Sequence, residues 1–309
     1  MHFLKITISF FLMFVSYGVS QAQEVELFGV ARNECGLDEG PATGNSLYRV
    51  DPDTAETELI GPIGFDGVTG LAFLEGDMLV GSASGGNDPK SAILIEINPE
   101  SGQASLKGVI GTAGVEGEGG RAPDLTYEMT TDTLFATCDG SCDGGDSLQT
   151  VNPATGQGTV IGPFMGGIGS PGNGLAISNT GILFHSGAGE LANINRNTGA
   201  GTFIADLTLG VDIEVNALAF HPLTGELFGS TIAQHASANP RSSTLVKINT
   251  ETGATTLVGD LPDCFDGIIF RTKPINIVVP TLSEWGLIAM ASILGMAGFM
   301  VIRRRKVAA

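Results

Sequence analysis

The sequence predicts an all-β fold, a β-propeller of five four-stranded blades, on the strength of two observations. One strand–turn–strand unit occurs five times, at residues 46–61, 92–108, 147–162, 190–205 and 244–259. A second hairpin unit lies between these copies, as at residues 69–82, 123–138, 173–187 and 216–231. Two hairpins supply four strands, and the turn of the first unit recurs at intervals of 43 to 54 residues, the length of a propeller blade.

The strands within each unit are identified by their alternation of side chains. Apolar residues take every second position of the first strand, as Ile95 and Ile97 do in the second copy, or Val246 and Ile248 in the fifth. This period of two is typical of a half-buried strand. An Asn-Pro, Asp-Pro or Thr-Gly step then reverses the chain.

Incomplete units at the two ends predict how the ring closes. Residues 26–31 resemble only the second strand of a unit, and residues 266–270 resemble only the first. One blade assembled from both termini would pair the N- and C-terminal strands and leave no open sheet edge. Six blades are the alternative, if an irregular loop contains a further one.

Residues 1–22 are predicted to be a signal peptide. Lys5 gives a short positive start, residues 6–19 form an apolar stretch, and residues 20–22 offer the small side chains that signal peptidase accepts. We expect cleavage after Ala22. An uncleaved N-terminal anchor is the alternative, although the apolar run is shorter than the ~20 residues of a membrane span.

A second apolar segment, residues 287–302, is uncharged and is followed at once by a basic cluster. This order predicts a transmembrane helix with a cytoplasmic tail, residues 303–309, because basic residues stay on the cytoplasmic side. The protein would then be anchored in the inner membrane and face the periplasm. The residues of the membrane stop are Arg303, Arg304, Arg305 and Lys306.

The part between the two ends is strongly acidic. It comprises a propeller ectodomain, residues 23–274, and a linker with a further motif, residues 275–286. Five of the 15 basic residues lie outside residues 23–279, but only one of the 33 acidic residues does, so this part carries a formal charge of −22. Such a surface argues against nucleic acid as a partner, since phosphate binding needs clustered Lys and Arg.

Four cysteines in an exported chain predict two disulfides. The strand order places Cys35 and Cys264 on one face of the closing blade, where a bond between them would lock the ring. Cys138 and Cys142 are close in sequence and would staple a hairpin loop of the third blade. Free thiols and a metal site are the alternatives.

Residues 279–286 read VPTLSEWG and precede the apolar segment and the basic end. This arrangement resembles the IPTL-CTERM sorting signals of Gram-negative bacteria, with valine in place of the usual first isoleucine. The resemblance implies processing by an exosortase-family enzyme and delivery to the cell surface or extracellular matrix. A permanent single-pass anchor is the alternative. The matching residues are Pro280, Thr281, Leu282, Trp285 and Gly286.

Propellers bind ligands where the inner strands begin around the central channel, which makes the residues at these positions a candidate site. Asn173, Asn216 and Asp266 occupy three of the five positions. Their amide and carboxylate oxygens are ligands that Ca²⁺ prefers. The NGLA motif at Asn173 also resembles a step in the gluconolactonase, regucalcin and paraoxonase propellers, which implies a catalytic calcium. Capping of strand ends by Asn and Asp is the alternative.

The sequence offers no catalytic residues of a familiar kind. It lacks a Gly-x-Ser-x-Gly elbow, an HExxH motif and a Walker loop, and its histidines form no assignable triad. We therefore expect a non-catalytic surface or matrix protein whose propeller face binds another macromolecule. The alternative is a calcium-dependent lactonase or esterase that uses the central channel.

Overall fold

In the described part of the chain, twenty strands form five four-stranded antiparallel sheets, which confirms the prediction of a five-bladed propeller over that of six blades. The computed structural model describes the residues on which the following account rests. They are residues 23–32, 45–85, 88–111, 122–138, 146–164, 174–187, 189–209, 213–233, 243–274, 291–297 and 299–300.

The strands of the first half of the chain are β1 (Gln23–Arg32), β2 (Asn45–Val50), β3 (Thr57–Pro62), β4 (Gly70–Leu74), β5 (Met78–Gly85), β6 (Asp88–Ile97), β7 (Ala104–Ile110), β8 (Leu125–Glu128), β9 (Thr133–Cys138) and β10 (Ser147–Val151). Those of the second half are β11 (Gly158–Pro163), β12 (Gly174–Ile177), β13 (Leu183–Gly187), β14 (Glu190–Ile194), β15 (Gly201–Asp206), β16 (Ile213–Phe220), β17 (Leu227–Ala233), β18 (Ser243–Ile248), β19 (Thr255–Leu261) and β20 (Cys264–Pro274).

The sheets follow the repeats of the sequence. Blades 2 to 5 are the consecutive strands β4–β7, β8–β11, β12–β15 and β16–β19. Blade 1 has the order β20-β1-β2-β3, so that its innermost strand comes from the C-terminal side of the propeller and its other three strands come from the N-terminal side.

The turn between the two outer strands of a blade repeats one geometry. In blade 2, Asn98 Oδ1 accepts hydrogen bonds from the backbone N–H groups two and three residues later, at 2.9 and 3.1 Å. This is an Asx turn, which explains why Asn or Asp opens every copy. The residue that ends the turn has a positive φ and is glycine in four copies, but in blade 1 it is Ala55, at φ 61°. The same double hydrogen bond occurs at Asp51, Asn152 and Asn249.

Adjacent blades approach most closely where the outermost strand of one blade meets the outer turn of the next. A Cβ at Gly108 of blade 2 would lie 1.8 Å from the carbonyl oxygen of Thr155 in blade 3. A Cβ at Gly259 of blade 5 would lie 2.6 Å from the carbonyl oxygen of Thr54 in blade 1. Backbone contact at this distance requires glycine, which explains the glycine near the end of four of the five repeats; the fourth copy has Ala205 there. Gly61 and Gly162 make the same contact with Ser101 and Thr198.

The hydrophobic core lies between neighbouring blades. Phe28 and Leu47 of blade 1 pack with Leu71, Leu79 and Ile95 of blade 2, and all five side chains are fully buried. Each blade thus buries both faces of its sheet, because a propeller places a neighbour on either side of it.

Residues 291–297 and 299–300 are helical. Among the described residues, no helix has the length and hydropathy needed to cross a membrane. The transmembrane helix predicted over residues 287–302 is therefore not confirmed, because the described helical residues are too few for a span. The predicted signal peptide, linker and basic tail fall outside the described ranges, at residues 1–22, 275–286 and 303–309.

Two of the four cysteines, Cys138 and Cys264, lie in the described part of the chain. Cys138 and Cys264 are buried at the end of β9 and the start of β20, and neither is a free thiol. Their predicted partners, Cys142 and Cys35, lie outside the described residues. The two pairings therefore stay predictions.

Candidate functional site

The innermost strands β4, β8, β12, β16 and β20 lie side by side around the propeller axis. Their first residues adjoin: a Cβ at Gly70 would lie 2.7 Å from the Leu125 nitrogen, and one at Gly267 would lie 2.7 Å from the Thr69 oxygen. All five strands therefore begin on the same face, which we call the loop face. They end on the opposite face, which we call the turn face because tight turns follow there.

Two of the three predicted site residues meet on the loop face. Asn216 Nδ2 donates a hydrogen bond to Asp266 Oδ1 at 2.6 Å, although 50 residues separate them. The register of β16 against β17 shifts between Val215 and Ala217, so Asn216 sits in a bulge, and bulges re-aim side chains. Asp266 is buried, at 3% exposure. Asn173 lies outside the described residues, next to the first residue of β12.

Buried hydroxyl groups fix the backbone directly before both of these residues. Ser186 Oγ of blade 4 donates to the carbonyl oxygen of Val215 at 3.3 Å, and Ser230 Oγ of blade 5 donates to that of Phe265 at 2.9 Å. Each hydroxyl belongs to the second strand of one blade and reaches the first strand of the next. The positions of Asn216 and Asp266 are therefore set by the packing of neighbouring blades.

Asp124 is a further carboxylate on the loop face, which the sequence analysis passed over. Its Oδ1 accepts a hydrogen bond from its neighbour Leu125 N, and its Oδ2 accepts one from Leu175 N in blade 4, both at 2.8 Å. The backbone of Leu218 in blade 5 also bonds to it. One buried side chain thus joins the inner strands of three blades near the axis.

Burial and hydrogen bonding have opposite effects on the pKa of Asp124. Loss of water raises the pKa of its carboxyl group well above the ordinary value, while the bonds from Leu175, Leu125 and Leu218 oppose that rise. The sequence did contain a signal for this residue. When the repeats are aligned, Asp124 falls in a column that otherwise holds only small residues, namely Gly70, Gly174, Ala217 and Gly267.

His185 lies beneath the loop face in blade 4 and is 1% exposed. Its Nδ1 is 3.0 Å from the carbonyl oxygen of Gly174, so Nδ1 carries the proton and donates it. Its ring stacks on Phe164 with centroids 4.8 Å apart. Among the described residues Nε2 has no hydrogen-bond partner. Burial lowers the pKa of His185 to about 4, against the smaller opposite effect of the Gly174 carbonyl.

We expect His185 to make the propeller sensitive to acid. The pKa of His185 in the folded protein lies below the ordinary 6.5. Its contribution to the free energy of unfolding is therefore fully present above pH ~6.5 and is lost as the pH falls toward ~4. The loss approaches about 3 kcal/mol at pH ~4. Urea unfolding measures the free energy of unfolding of wild type and His185→Phe at several pH values. Between pH ~6.5 and pH ~4, wild type should lose about 3 kcal/mol relative to the variant. A pH-independent gap would contradict this assignment.

The turn face holds the other end of the channel, a cavity of about 340 Å³ that all five blades line. Phe73 and Phe220 contribute apolar walls to it. At the rim Arg271 is 7% exposed, with Nε 2.6 Å from Asp77 Oδ1 and Nη1 2.9 Å from Glu100 Oε1. The bond from Arg271 lowers the pKa of the Glu100 carboxyl group. These charges pair with one another and fasten blade 1 to blade 2.

Several solved structures are similar to this chain at low sequence identity. A structure of a nidogen/laminin complex matches with a TM-score of 0.48 and 11% identity over 80% of this chain and 98% of that one. A gluconolactonase from Xanthomonas campestris matches with a TM-score of 0.44 and 15% identity over 71% and 73%. A protein from Lactobacillus plantarum matches with a TM-score of 0.44 and 13% identity over 81% and 100%. No curated protein matches the sequence.

The C-terminal part of the sequence has a clear relative. Residues 279–306 match the IPTL-CTERM motif, which confirms the sorting signal predicted from Pro280, Thr281, Leu282, Trp285 and Gly286. Such a signal indicates export, surface localisation and processing by an exosortase-type enzyme. The chain is thus a five-bladed β-propeller that carries an IPTL-CTERM sorting signal behind its last strand.

Proposed function

We propose that the protein is an exported, non-catalytic binding propeller that is displayed on the cell surface or in the extracellular matrix after processing of its C-terminal signal. The observation that carries the proposal is the IPTL-CTERM motif at residues 279–306. The last strand, β20, ends at Pro274, and the motif begins five residues later. The propeller is the only large described body in front of this motif. It is therefore the part that sorting would display.

The charge of the propeller supports a binding role and limits the partner. A formal charge of −22 over residues 23–279 favours cations and basic macromolecules and disfavours nucleic acid. Several described basic side chains hold neighbouring blades together: Arg271 of blade 1 pairs with Asp77 of blade 2, and Arg196 of blade 4 pairs with Glu128 of blade 3. Recognition on the loop face would then depend on acidic and amide groups.

We also propose that pairing of β20 with β1 closes the ring. The sheet order of blade 1 and the contact of Gly259 with Thr54 support this. In a closed ring every blade packs against a neighbour on both sides. The starts of the inner strands are then held in a fixed arrangement. The loop face would then be preorganised for its partner.

The sorting signal predicts a processed C-terminus. Mature protein from the native host should lack Trp285 and the basic cluster that follows. Replacement of Pro280 and Thr281 by alanine should leave a longer form, because the recognition segment is lost while the apolar segment 287–302 remains. Mass spectrometry of the C-terminus of surface-exposed protein measures both forms.

A matched variant separates processing from insertion. Deletion of residues 303–306 leaves the VPTLSEWG segment intact but removes the charges that orient an apolar segment in a membrane. This variant should alter retention and not the recognition sequence. An intact C-terminal tail on displayed wild-type protein would overturn the processing proposal.

The second candidate function is a calcium-dependent hydrolase of lactones or esters, and the contact between Asn216 and Asp266 favours it. An amide oxygen and a carboxylate fit the preference of Ca²⁺ for oxygen ligands, but Ca²⁺ takes six to eight of them. Within the described ranges, no cluster of three or more His, Cys, Asp or Glu side chains could hold a metal. Asn216 and Asp266 are therefore part of a ligand set at most.

Metal analysis of the purified protein, together with a screen of lactone and ester hydrolysis, tests this candidate. A bound metal ion and a hydrolytic rate that both fall in Asp266→Asn would establish the hydrolase. Protein without bound calcium, and without a rate above that of Asp266→Asn, would rule it out.

A further inference from the structure

We propose that the turn face carries a second binding surface, which takes a basic polypeptide segment and receives one of its apolar side chains in the cavity at the end of the channel. The surface would serve the proposed binding function, on which this inference rests, but it lies on the face opposite Asn216 and Asp266. Its shape, its exposed apolar side chains and its charge each restrict the partner.

The wall of the cavity comes from equivalent positions of the repeats. Phe73, Tyr127, Ile177 and Phe220 occupy the same position near the ends of four inner strands, line the cavity, and are only partly buried. Four blades thus contribute a large side chain at one level of the channel. The volume of about 340 Å³ is at the lower end of the range for ligand pockets. A cavity of this size suits one large apolar side chain better than an extended ligand.

Exposed apolar side chains extend this wall to the surface. Met129 follows β8 directly and lines the cavity, yet it is 71% exposed. Leu223, in the turn between β16 and β17, is 55% exposed. Single exposed apolar residues are ordinary, but Met129 stands at the mouth of an apolar cavity. Apolar residues around a pocket exclude water from an inserted side chain, which is the arrangement found at the centre of protein interfaces.

Hydrogen bonds hold the turns at the mouth of the cavity in place before a partner binds. In blade 5, His221 Nδ1 accepts hydrogen bonds from the backbone N–H groups of Leu223 and Thr224, at 3.3 and 3.1 Å. In blade 3, the Tyr127 hydroxyl donates to Asp132 Oδ1 at 2.7 Å, across the turn between β8 and β9. A surface that is ordered in advance loses less conformational entropy when it binds.

The turns of this face are strongly acidic. Nine described turns join the first two or the last two strands of a blade. Together they contain nine Asp or Glu residues, all exposed, against one basic residue, Arg196. This excess of negative charge favours a partner rich in Lys and Arg, and it steers such a partner toward the face.

The basic side chains near the cavity are already engaged with carboxylates. Arg196 pairs with the buried carboxylate of Glu128, and Arg271, which is 7% exposed, pairs with Asp77. An acidic partner would have to displace these pairs to reach a positive charge. A basic partner instead meets exposed carboxylates such as Glu75, in the turn between β4 and β5.

The hydroxyl group of Tyr127 lies in this negative field. Loss of water raises the pKa of Tyr127 above its ordinary value, and its bond to Asp132 adds to the rise. The charges of Asp132 and Glu75 raise it further, while a backbone bond with Glu75 opposes the rise. A Lys or Arg side chain placed beside the cavity would be stabilised by the same two carboxylates.

The test measures the binding of three matched peptides to the full chain, purified in a non-ionic detergent, by isothermal titration calorimetry at low ionic strength. The first peptide has one phenylalanine between three lysines on each side. The second has alanine in place of phenylalanine, and the third has glutamate in place of every lysine. We expect the first peptide to bind, the second to bind at least about tenfold more weakly, and the third not to bind.

Two pairs of matched variants locate the site. Met129→Ser and Glu75→Gln each change an exposed side chain of the turn face, so the fold should be kept. Met129→Ser should weaken binding of the first peptide roughly three- to tenfold, and Glu75→Gln roughly two- to fivefold. Phe203→Ser, on the outer strand β15, and Asp66→Asn, on the loop face, are the controls and should bind as wild type does.

Each part of the proposal has its own contrary outcome. Unchanged affinity in both Met129→Ser and Glu75→Gln would overturn the turn face as the site and leave the proposed function standing. Equal binding of the phenylalanine and alanine peptides would overturn the anchor in the cavity. Equal binding of the lysine and glutamate peptides, or no binding of the lysine peptide, would overturn the basic partner. Binding of 2-phenylethylammonium as tightly as the first peptide would assign the cavity to a small organic cation and overturn the polypeptide.

Discussion

Asp124→Ala is expected to lower the free energy of unfolding by about 3–6 kcal/mol. The substitution removes the acceptor for the buried backbone N–H groups of Leu125 and Leu175, and for that of Leu218. A buried donor left without a partner costs about 1–3 kcal/mol, and three blades lose their common contact at once. Urea unfolding of wild type and variant near neutral pH measures the difference.

Asp124→Asn decides whether hydrogen bonding or burial of charge dominates at this position. Asparagine keeps the shape and one acceptor oxygen, but its amino group would face a backbone N–H. We expect a loss of about 1–3 kcal/mol, smaller than for alanine. If the cost of burying the carboxylate outweighed its hydrogen bonds, the asparagine variant would instead be more stable than wild type. Asp66→Asn, on the exposed surface, is the control and should change little.

The parts of the fold that could be predicted from the sequence are those that use short-range signals. Asn98 bonds only to backbone groups two and three residues away, so its turn is encoded locally and recurs in every repeat. The count of five blades follows from that recurrence. The glycine near the end of four of the five repeats was visible in the sequence, but its reason, contact with the next blade at Thr155 or Thr54, is not local.

The candidate site was harder to predict because its contacts cross between blades. Asn216 and Asp266 were chosen by position in the repeat, and their hydrogen bond spans 50 residues. The corresponding position in blade 3 is Pro123, so the comparison passed over its neighbour Asp124, whose bond to Leu175 spans 51 residues. The repeat pattern does not predict which strand will donate a hydrogen bond to a buried carboxylate. Side-chain contacts of this kind need the ring to be assembled first.

Gly108→Ala and Gly259→Ala are expected to destabilise the propeller by similar amounts, about 2–3 kcal/mol each. The new Cβ at Gly108 would meet the Thr155 carbonyl oxygen between blades 2 and 3. The new Cβ at Gly259 would meet the Thr54 carbonyl oxygen between blades 5 and 1. Both obstacles are backbone atoms, which cannot rotate away, so the blades themselves must move. Urea unfolding of both variants measures the two costs.

The comparison of these two variants tests whether the ring is closed. The Gly108 contact joins blades that are consecutive in sequence, and it exists whether or not the terminal strands pair. The Gly259 contact exists only if blade 5 lies against blade 1, as pairing of β20 with β1 requires. Gly111→Ala is the control, since the nearest atom of the described residues is 4.0 Å from its new Cβ, and it should change stability by less than about 0.5 kcal/mol. An open ring would make Gly259→Ala as mild as this control while Gly108→Ala stayed costly.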